Sequence, residues 1–286
     1  LSFWQRREFQ VFFNEADKSR IAMTNSDLKP TERFSERVAY YVKYRPSYPP
    51  GVITFLGTTD ILTSTSVVAD LGSGTGISAR LLLENGNVVY GIEPNREMRV
   101  AAEEYLQGYP NFRSVDGTAE ATTLPDHSVD LVVAAQAFHW FNVPAARVEA
   151  QRILKPGGWA VLLWNDRLTA GTPFLAAFEE LLVRYGTDYL HVSHRNANDV
   201  DAQAITTFFG HTAWQVKRMP NSQSFDYEGL RGRVLSSSYA PLPGHPQCEP
   251  LMQGLREVFD AHQENGQVRF EYETQVFYGR LGLRLA

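Results

Sequence analysis

Apolar and polar positions along this chain switch repeatedly between two periods. Short apolar runs at residues 67–71, 88–92, 112–115, 129–135 and 159–164 have the length of buried strands. Between them lie stretches with apolar residues three or four apart: residues 77–83, the segment carrying Met98, and residues 144–154, where Asn142 is placed to cap and Pro144 to start a helix. Upstream, residues 31–44 put Phe34, Val38, Tyr41 and Val42 on one helical face. The prolines of Arg45-Pro46-Ser47-Tyr48-Pro49-Pro50 stop that helix, and a second is predicted over residues 51–62. Downstream, Phe174, Leu175, Phe178, Leu181 and Leu182 predict an amphipathic helix over residues 173–185. Residues 212–218 read as a sixth strand. Residues 268–278 read as a seventh, with Val268, Phe270, Tyr272, Thr274 and Val276 alternating against a more polar face. Strand and helix in alternation predict an α/β fold on a mostly parallel sheet. Residues 224–265 interrupt it with an insertion: Asp226 as N-cap, a helix over 228–235, a Ser/Pro-rich loop over 236–244 and a helix over 252–262.

Composition narrows the picture modestly. The 286 residues are 43% hydrophobic and 21% charged, an ordinary globular balance, and suit one domain over residues 31–286 with an extension at 1–30. The extension begins at Leu1, with Met23 a more usual start. Phe3, Trp4, Phe9, Val11, Phe12 and Phe13 stand among charges there, which is no signal-peptide core but an appended helix or arm. A net charge of −5 offers no basic field for a nucleic-acid backbone. Cys248 is the single cysteine, so no intramolecular disulfide is expected and a reducing, cytoplasmic setting fits. No membrane-length apolar run occurs. His191 and His194 lack further partners at ligand spacing, so no metal site is expected.

The chemistry concentrates after the first strand, in Asp70-Leu71-Gly72-Ser73-Gly74-Thr75-Gly76. A strand, a tight glycine loop and a helix start bring backbone N–H groups up to a nucleotide-like ligand. Glycine is required where a Cβ would block positive φ angles and close approach. A dinucleotide fingerprint would need a glycine at Ile77, and a P-loop would need a lysine after Gly76. Asp70 would repel a pyrophosphate but suits a cationic ligand such as S-adenosylmethionine, with its sulfonium and ammonium.

This loop resembles the first motif of class I S-adenosylmethionine-dependent methyltransferases, in the small-molecule group that includes enzymes acting on trans-aconitate and ubiquinone precursors. Gly91-Ile92-Glu93-Pro94-Asn95 resembles their ribose-binding acid, and Leu154-Lys155-Pro156-Gly157-Gly158 the turn before their fifth strand. The resemblance implies a Rossmann-like seven-stranded sheet, mostly parallel with an antiparallel last strand, and a helical cap over the acceptor. It implies S-adenosylmethionine as cofactor, held by Asp70, Gly72, Ser73, Gly74, Thr75, Gly76, Glu93 and Pro94. Tyr40, Tyr44 and Arg45 are candidates for covering the sulfonium or pairing with the cofactor carboxylate, and Met98 for packing on adenine. Related enzymes place Asp where Thr118 stands, so Thr118, Ala119 and Glu120 are expected to read the adenine edge instead. Gln136 is a candidate for the methionine portion.

At the end of the fourth strand, His139 is the one strong acid–base candidate, with core packing as its other reading. Trp140 can enclose a sulfonium or face the acceptor. Asn165 and Arg167 are expected to follow the fifth strand into the crevice, Arg167 binding an acidic substrate or pairing with Asp166. Arg231, Arg233 and Tyr239 of the insertion are candidate substrate contacts. The expected activity is methyl transfer to a small organic molecule, with oxygen the favoured acceptor, by a monomer or homodimer without nucleic-acid or membrane partners. A non-catalytic S-adenosylmethionine-binding module and, less favoured, an NAD-dependent oxidoreductase are the alternatives.

Overall fold

The computed structural model describes residues 38–189, 202–210 and 214–281. The extension at 1–30, Phe34, His191, His194 and the start of the predicted sixth strand lie outside the described residues. In chain order the elements are α1 (Val38–Tyr44), α2 (Gly51–Thr58), β1 (Val67–Leu71), α3 (Ile77–Glu84), β2 (Val88–Ile92), α4 (Arg96–Tyr105), β3 (Phe112–Val115) and β4 (Val129–Ala135). A short 3-10 turn (Phe138–Trp140) leads to α5 (Val143–Ile153), β5 (Leu154–Arg167), α6 (Pro173–Tyr185), α7 (Ala202–Phe209) and β6 (Gln215–Phe225). Then come α8 (Tyr227–Leu235), α9 (Cys248–His262) and β7 (Val268–Gly279).

These form one seven-stranded sheet in the order β3-β2-β1-β4-β5-β7-β6. The pairs from β3 to β5 are parallel, whereas β7 runs antiparallel to both β5 and β6. Right-handed strand–helix crossovers in such a sheet leave the carboxyl ends of the parallel strands facing a crevice, and the order reverses beside β1, where ligands bind in open α/β folds. Successive strand residues face opposite layers. Ala69, Val132 and Leu162 pack with Ala146, Ile153, Phe208 and Phe209 of α5 and α7. Val68, Val133 and Leu163 pack with Val52 and Leu56 of α2 and Leu82 and Leu83 of α3. A third apolar cluster joins α6, α8 and α9 to Phe270 and Tyr272 at the start of β7.

Local chemistry sets the helix starts. Asn95 accepts from the Met98 N–H at 2.9 Å, Asn142 from Ala145 at 3.4 Å, and Asp226 from Gly229 at 2.8 Å. Each satisfies a donor that the first turn leaves without a partner.

Several boundaries differ from the sequence pattern. The second helix ends at Thr58, because Ile61 and Leu62 both turn their N–H groups back to the Leu56 carbonyl. The fifth strand already begins at Leu154: Leu154 pairs with Val129 and Trp159 with Leu131, so residues 155–158 bulge out between them, with Gly157 at φ 80°. The sixth strand continues to Phe225, its polar residues held in register by β7, with Pro220 tolerated on an outer strand. The helix predicted from 252 starts at Cys248. Replacing Asp226 with Ala is expected to cost about 1 kcal/mol of stability, read as a lowered urea midpoint at unchanged m.

Candidate functional site

The three loop glycines serve different ends. Gly72 (φ 66°) lets the turn after β4 close in: a Cβ there would lie 2.6 Å from the Ala137 Cβ. Gly76 (φ 86°) starts α3, and a Cβ would lie 2.6 Å from Leu106. Gly74 (φ 55°) has open space where its Cβ would be, so bare peptide faces the cavity. The loop is pinned to the next strand, since Gly72 and Ser73 both donate to the Ile92 carbonyl at 2.8 and 3.1 Å. Glu93 completes the clamp. One of its oxygens accepts from Gly74 N at 3.0 Å and the other from Asn95 N at 2.9 Å. Burial raises the Glu93 pKa, outweighing those two bonds and the charge of Arg99.

Asp70 is fully buried beneath the loop. Its Oδ2 accepts from Ser78 Oγ at 2.6 Å, while its Oδ1 is buried with no hydrogen-bond partner among the described residues. Burial, with a smaller push from Glu93, lifts its pKa to about 7 against the Ser78 bond. Thr75 Oγ1 is likewise buried and without a partner.

The glycine loop and Glu93 border a cavity of about 260 Å³ at the carboxyl ends of β1, β2 and β4, with Asp70 beneath them. Of the candidates, Gly72, Ser73, Gly74, Thr75, Glu93 and Pro94 line its floor. Arg45, Met98, Gln136 and Trp140 line its walls, with Thr118, Ala119 and Glu120 at one end. Asn95 of the Glu93 motif and Phe141 beside Trp140 also line it, as do Tyr41, Tyr48 and Ser78, which are not among the candidates read from the sequence.

Other candidates are placed elsewhere. Asp70 and Gly76 lie under the loop rather than on its surface. Tyr44 is turned away, its ring seated over Gly232 of α8, and Tyr40 stacks on Tyr44 at 6.3 Å. Residues four apart share a helix face, so Tyr41 and Arg45 look inward together while Tyr40 and Tyr44 share the next face. The spacing of Tyr41 and Arg45 was the available signal. Thr118 spends its N–H and C=O on Ala121, and its hydroxyl accepts from Glu120 N. The Glu120 carboxylate accepts from Asn142 N at 2.8 Å.

Gln136 sits at φ 56°, a strained backbone for a non-glycine residue, and donates its side-chain amide to the Asn165 carbonyl at 3.1 Å. His139 packs between Trp140 and Trp164, at 4.7 and 6.1 Å between ring centres, and is not among the cavity-lining residues. Asn165 and Arg167 belong to β5 itself rather than to a loop entering the crevice. Asn165 ties four segments together: it donates to the Ser47 carbonyl, accepts from Thr274 and Asn221 through Oδ1, and holds Gln136. Arg167 pairs with neither a crevice group nor Asp166 but with Glu179 of α6 at 2.5 Å and the Tyr189 hydroxyl at 2.7 Å. Arg231 is half-exposed and faces Glu228 on the outer side of α8. Arg233 is buried, and Tyr239 is half-buried against Tyr189.

Residues 69–162 match the family described as methyltransferase domain. An uncharacterised methyltransferase-like protein of Schizosaccharomyces pombe is 34% identical over 250 residues, covering 85% of this chain and 93% of its own length. The chain belongs to the class I S-adenosylmethionine-dependent methyltransferases. A second relative, an uncharacterised methyltransferase of Mycobacterium bovis, is 39% identical over 145 residues, 51% of this chain and 57% of its own. In fold, the enzyme is similar to a proposed type II methyltransferase of Anaeromyxobacter dehalogenans (TM-score 0.63, 19% identity, 83% of this chain and 98% of that one). It is also similar to a proposed antibiotic-biosynthesis methyltransferase of Anabaena variabilis (TM-score 0.56, 24% identity, 82% and 98%). S-adenosylmethionine is the methyl donor of the family. Among the described residues of the methyltransferase, no helix is long and apolar enough to cross a membrane.

The buried carboxyl of Asp70 carries a pH signature. Its folded-state pKa, near 7, lies above the ordinary value of 3.8, so the folded protein holds a proton that the unfolded chain has released between those limits. Stability from this group is therefore full at low pH and is lost as pH rises towards 7. Asp70→Asn is expected to remove that dependence and to raise the urea midpoint of the ligand-free protein most at pH 8; parallel wild-type and variant curves from pH 5 to 8 would contradict it.

Proposed function

We propose that the cavity holds S-adenosylmethionine and that the methyltransferase passes its methyl group to an oxygen of a small organic molecule. The observation that carries this reading is the floor of the cavity: bare peptide at Gly74 beside Glu93, with the unmatched Oδ1 of Asp70 beneath. That floor offers acceptors and negative charge, which suit an adenosyl sulfonium and not a phosphate ester. When bound, the donor supplies a methyl group activated by the positive sulfur.

The residues of the chain then have separable tasks. Glu93, already fixed by two N–H bonds, retains lone pairs for a vicinal pair of ribose hydroxyls. Met98 and the Ala119 backbone border the adenine end. Thr75 and Gln136 offer acceptors to the methionine portion, with the charge of Asp70 buried beneath them, and Arg45 offers a cation for its carboxylate. The rings of Tyr41, Tyr48, Trp140 and Phe141 exclude water and present π faces to the cation. Helix α8 and the loop after it form the cap side of the site. Transfer to a carboxylate oxygen needs no base, so the reaction does not depend on His139, whose ring supports the Trp140 wall.

Isothermal calorimetry with S-adenosylhomocysteine tests the reading directly. Binding of that compound and not of NAD is expected. Glu93→Ala should weaken it by about tenfold or more, because the Gly74 and Asn95 N–H groups lose their acceptor and the ribose contact goes with it. Gly74→Asp should weaken it by filling the open space above the loop. A cationic donor favours ionised Asp70, so affinity for S-adenosylmethionine should rise from pH 5.5 to 7 in the wild type and stay flat in Asp70→Asn. Unchanged affinity in Glu93→Ala would refute the donor assignment.

A further inference from the structure

Three guanidiniums from three elements act on the charge of Tyr239: Arg233 in α8, Arg167 in β5 and Arg45 after α1. Arg167 is matched by Glu179. The other two are not matched by a carboxylate among the described residues. Arg45 donates through Nη2 to the Ser236 carbonyl at 2.9 Å and stacks on the Tyr41 ring, while its Nε is buried with no hydrogen-bond partner among the described residues. Arg233 is only 7% exposed, and its partners are neutral: Ser237 Oγ at 2.9 Å, Ser236 Oγ at 3.5 Å and the Tyr272 hydroxyl at 3.4 Å. Buried charges are ordinarily paired, because neutral dipoles replace only part of the lost hydration. Tyr239 registers the resulting field. Burial alone would raise its phenol pKa, yet Arg233, Arg167, a hydrogen bond with Ser237 and Arg45 together bring it below the ordinary value.

The two unmatched cations stand at different depths. Arg45 lines the donor cavity, whereas Arg233 lies behind it on the cap side, linked through Ser236. If the donor's carboxylate occupies Arg45, as proposed above, one buried positive charge remains. We infer that Arg233, with Ser237 and Tyr239, binds the carboxylate of the methyl acceptor, and that the acceptor is therefore an organic acid. A guanidinium flanked by hydroxyl donors fits the two coplanar oxygens of a carboxylate. This inference rests on the donor reading of the adjoining cavity.

The test uses the full chain saturated with S-adenosylhomocysteine, titrated with hexanoate, benzoate and citrate, with hexanamide and benzamide as neutral counterparts and phenyl phosphate as a second anion. At least one acid is expected to bind about tenfold or more tightly than its amide. Arg233→Gln should abolish that preference, and Arg233→Lys should restore part of it, with S-adenosylhomocysteine affinity unchanged in both. Tyr239→Phe, which leaves all three guanidiniums in place, should reduce the preference even if Arg233→Gln fails to fold. Acids and amides binding alike to the wild type, preference for the phosphate ester, or a preference kept in a folded Arg233→Gln would each overturn the inference. Failure of wild-type protein to bind S-adenosylhomocysteine would instead count against the donor reading.

Discussion

One carboxylate holds the crevice together. Glu93 ends β2, but the N–H groups it accepts belong to the loop after β1 and to the start of α4. With the Ile92 carbonyl receiving Gly72 and Ser73, the glycine loop is fastened along its length to its neighbouring strand. A glycine loop has many accessible conformations when free, so these bonds supply the order that its sequence withholds. The same carboxylate then stands ready-oriented at the cavity, its geometry set before any ligand arrives.

Around that clamp the charges are sorted. Asp70 and Glu93 lie on the strand side, while Arg45 and Arg233 lie on the side of α1 and α8. The buried phenol of Tyr48 feels both sides, Asp70 and Arg45. A zwitterionic ligand is oriented by such a separation, because reversing it would place like charges together in a poorly hydrated space. Asp70 shows the cost of the arrangement in its raised pKa, and Arg45 in a buried Nε without a hydrogen-bond partner among the described residues.

Much of this was legible in the chain itself. The parallel strands announced themselves by β-branched apolar runs bounded by turns, and the glycine loop with Asp70 and Glu93 by spacing and charge. What escaped depended on distance or direction. Tyr44 and Tyr41 are equally plausible as residues in a helix, and only the docking of that helix on Gly232 decides which faces inward. Arg167 seemed bound for a crevice because its partner, Glu179, lies on the next helix and nothing local marks the pair. The second half of β6, Pro220 to Ser224, has no apolar period of its own. It is a strand because β7 supplies the hydrogen bonds. Asn165 looked like a crevice residue, yet its side-chain amide is used up joining Ser47, Asn221 and Thr274, and its backbone carbonyl holds Gln136.

The place of β7 has a consequence for how the chain assembles. It comes last in chain order among the described strands, yet it is inserted between β5 and β6, and β6 has no other neighbour among them. During synthesis the outer edge of β5 must therefore wait, unsealed, until β7 emerges about a hundred residues later and zips both edges at once. Nascent chains cut short before Val268 would present a raw sheet margin and a cap region with nothing to stand on, a natural point of engagement for chaperones.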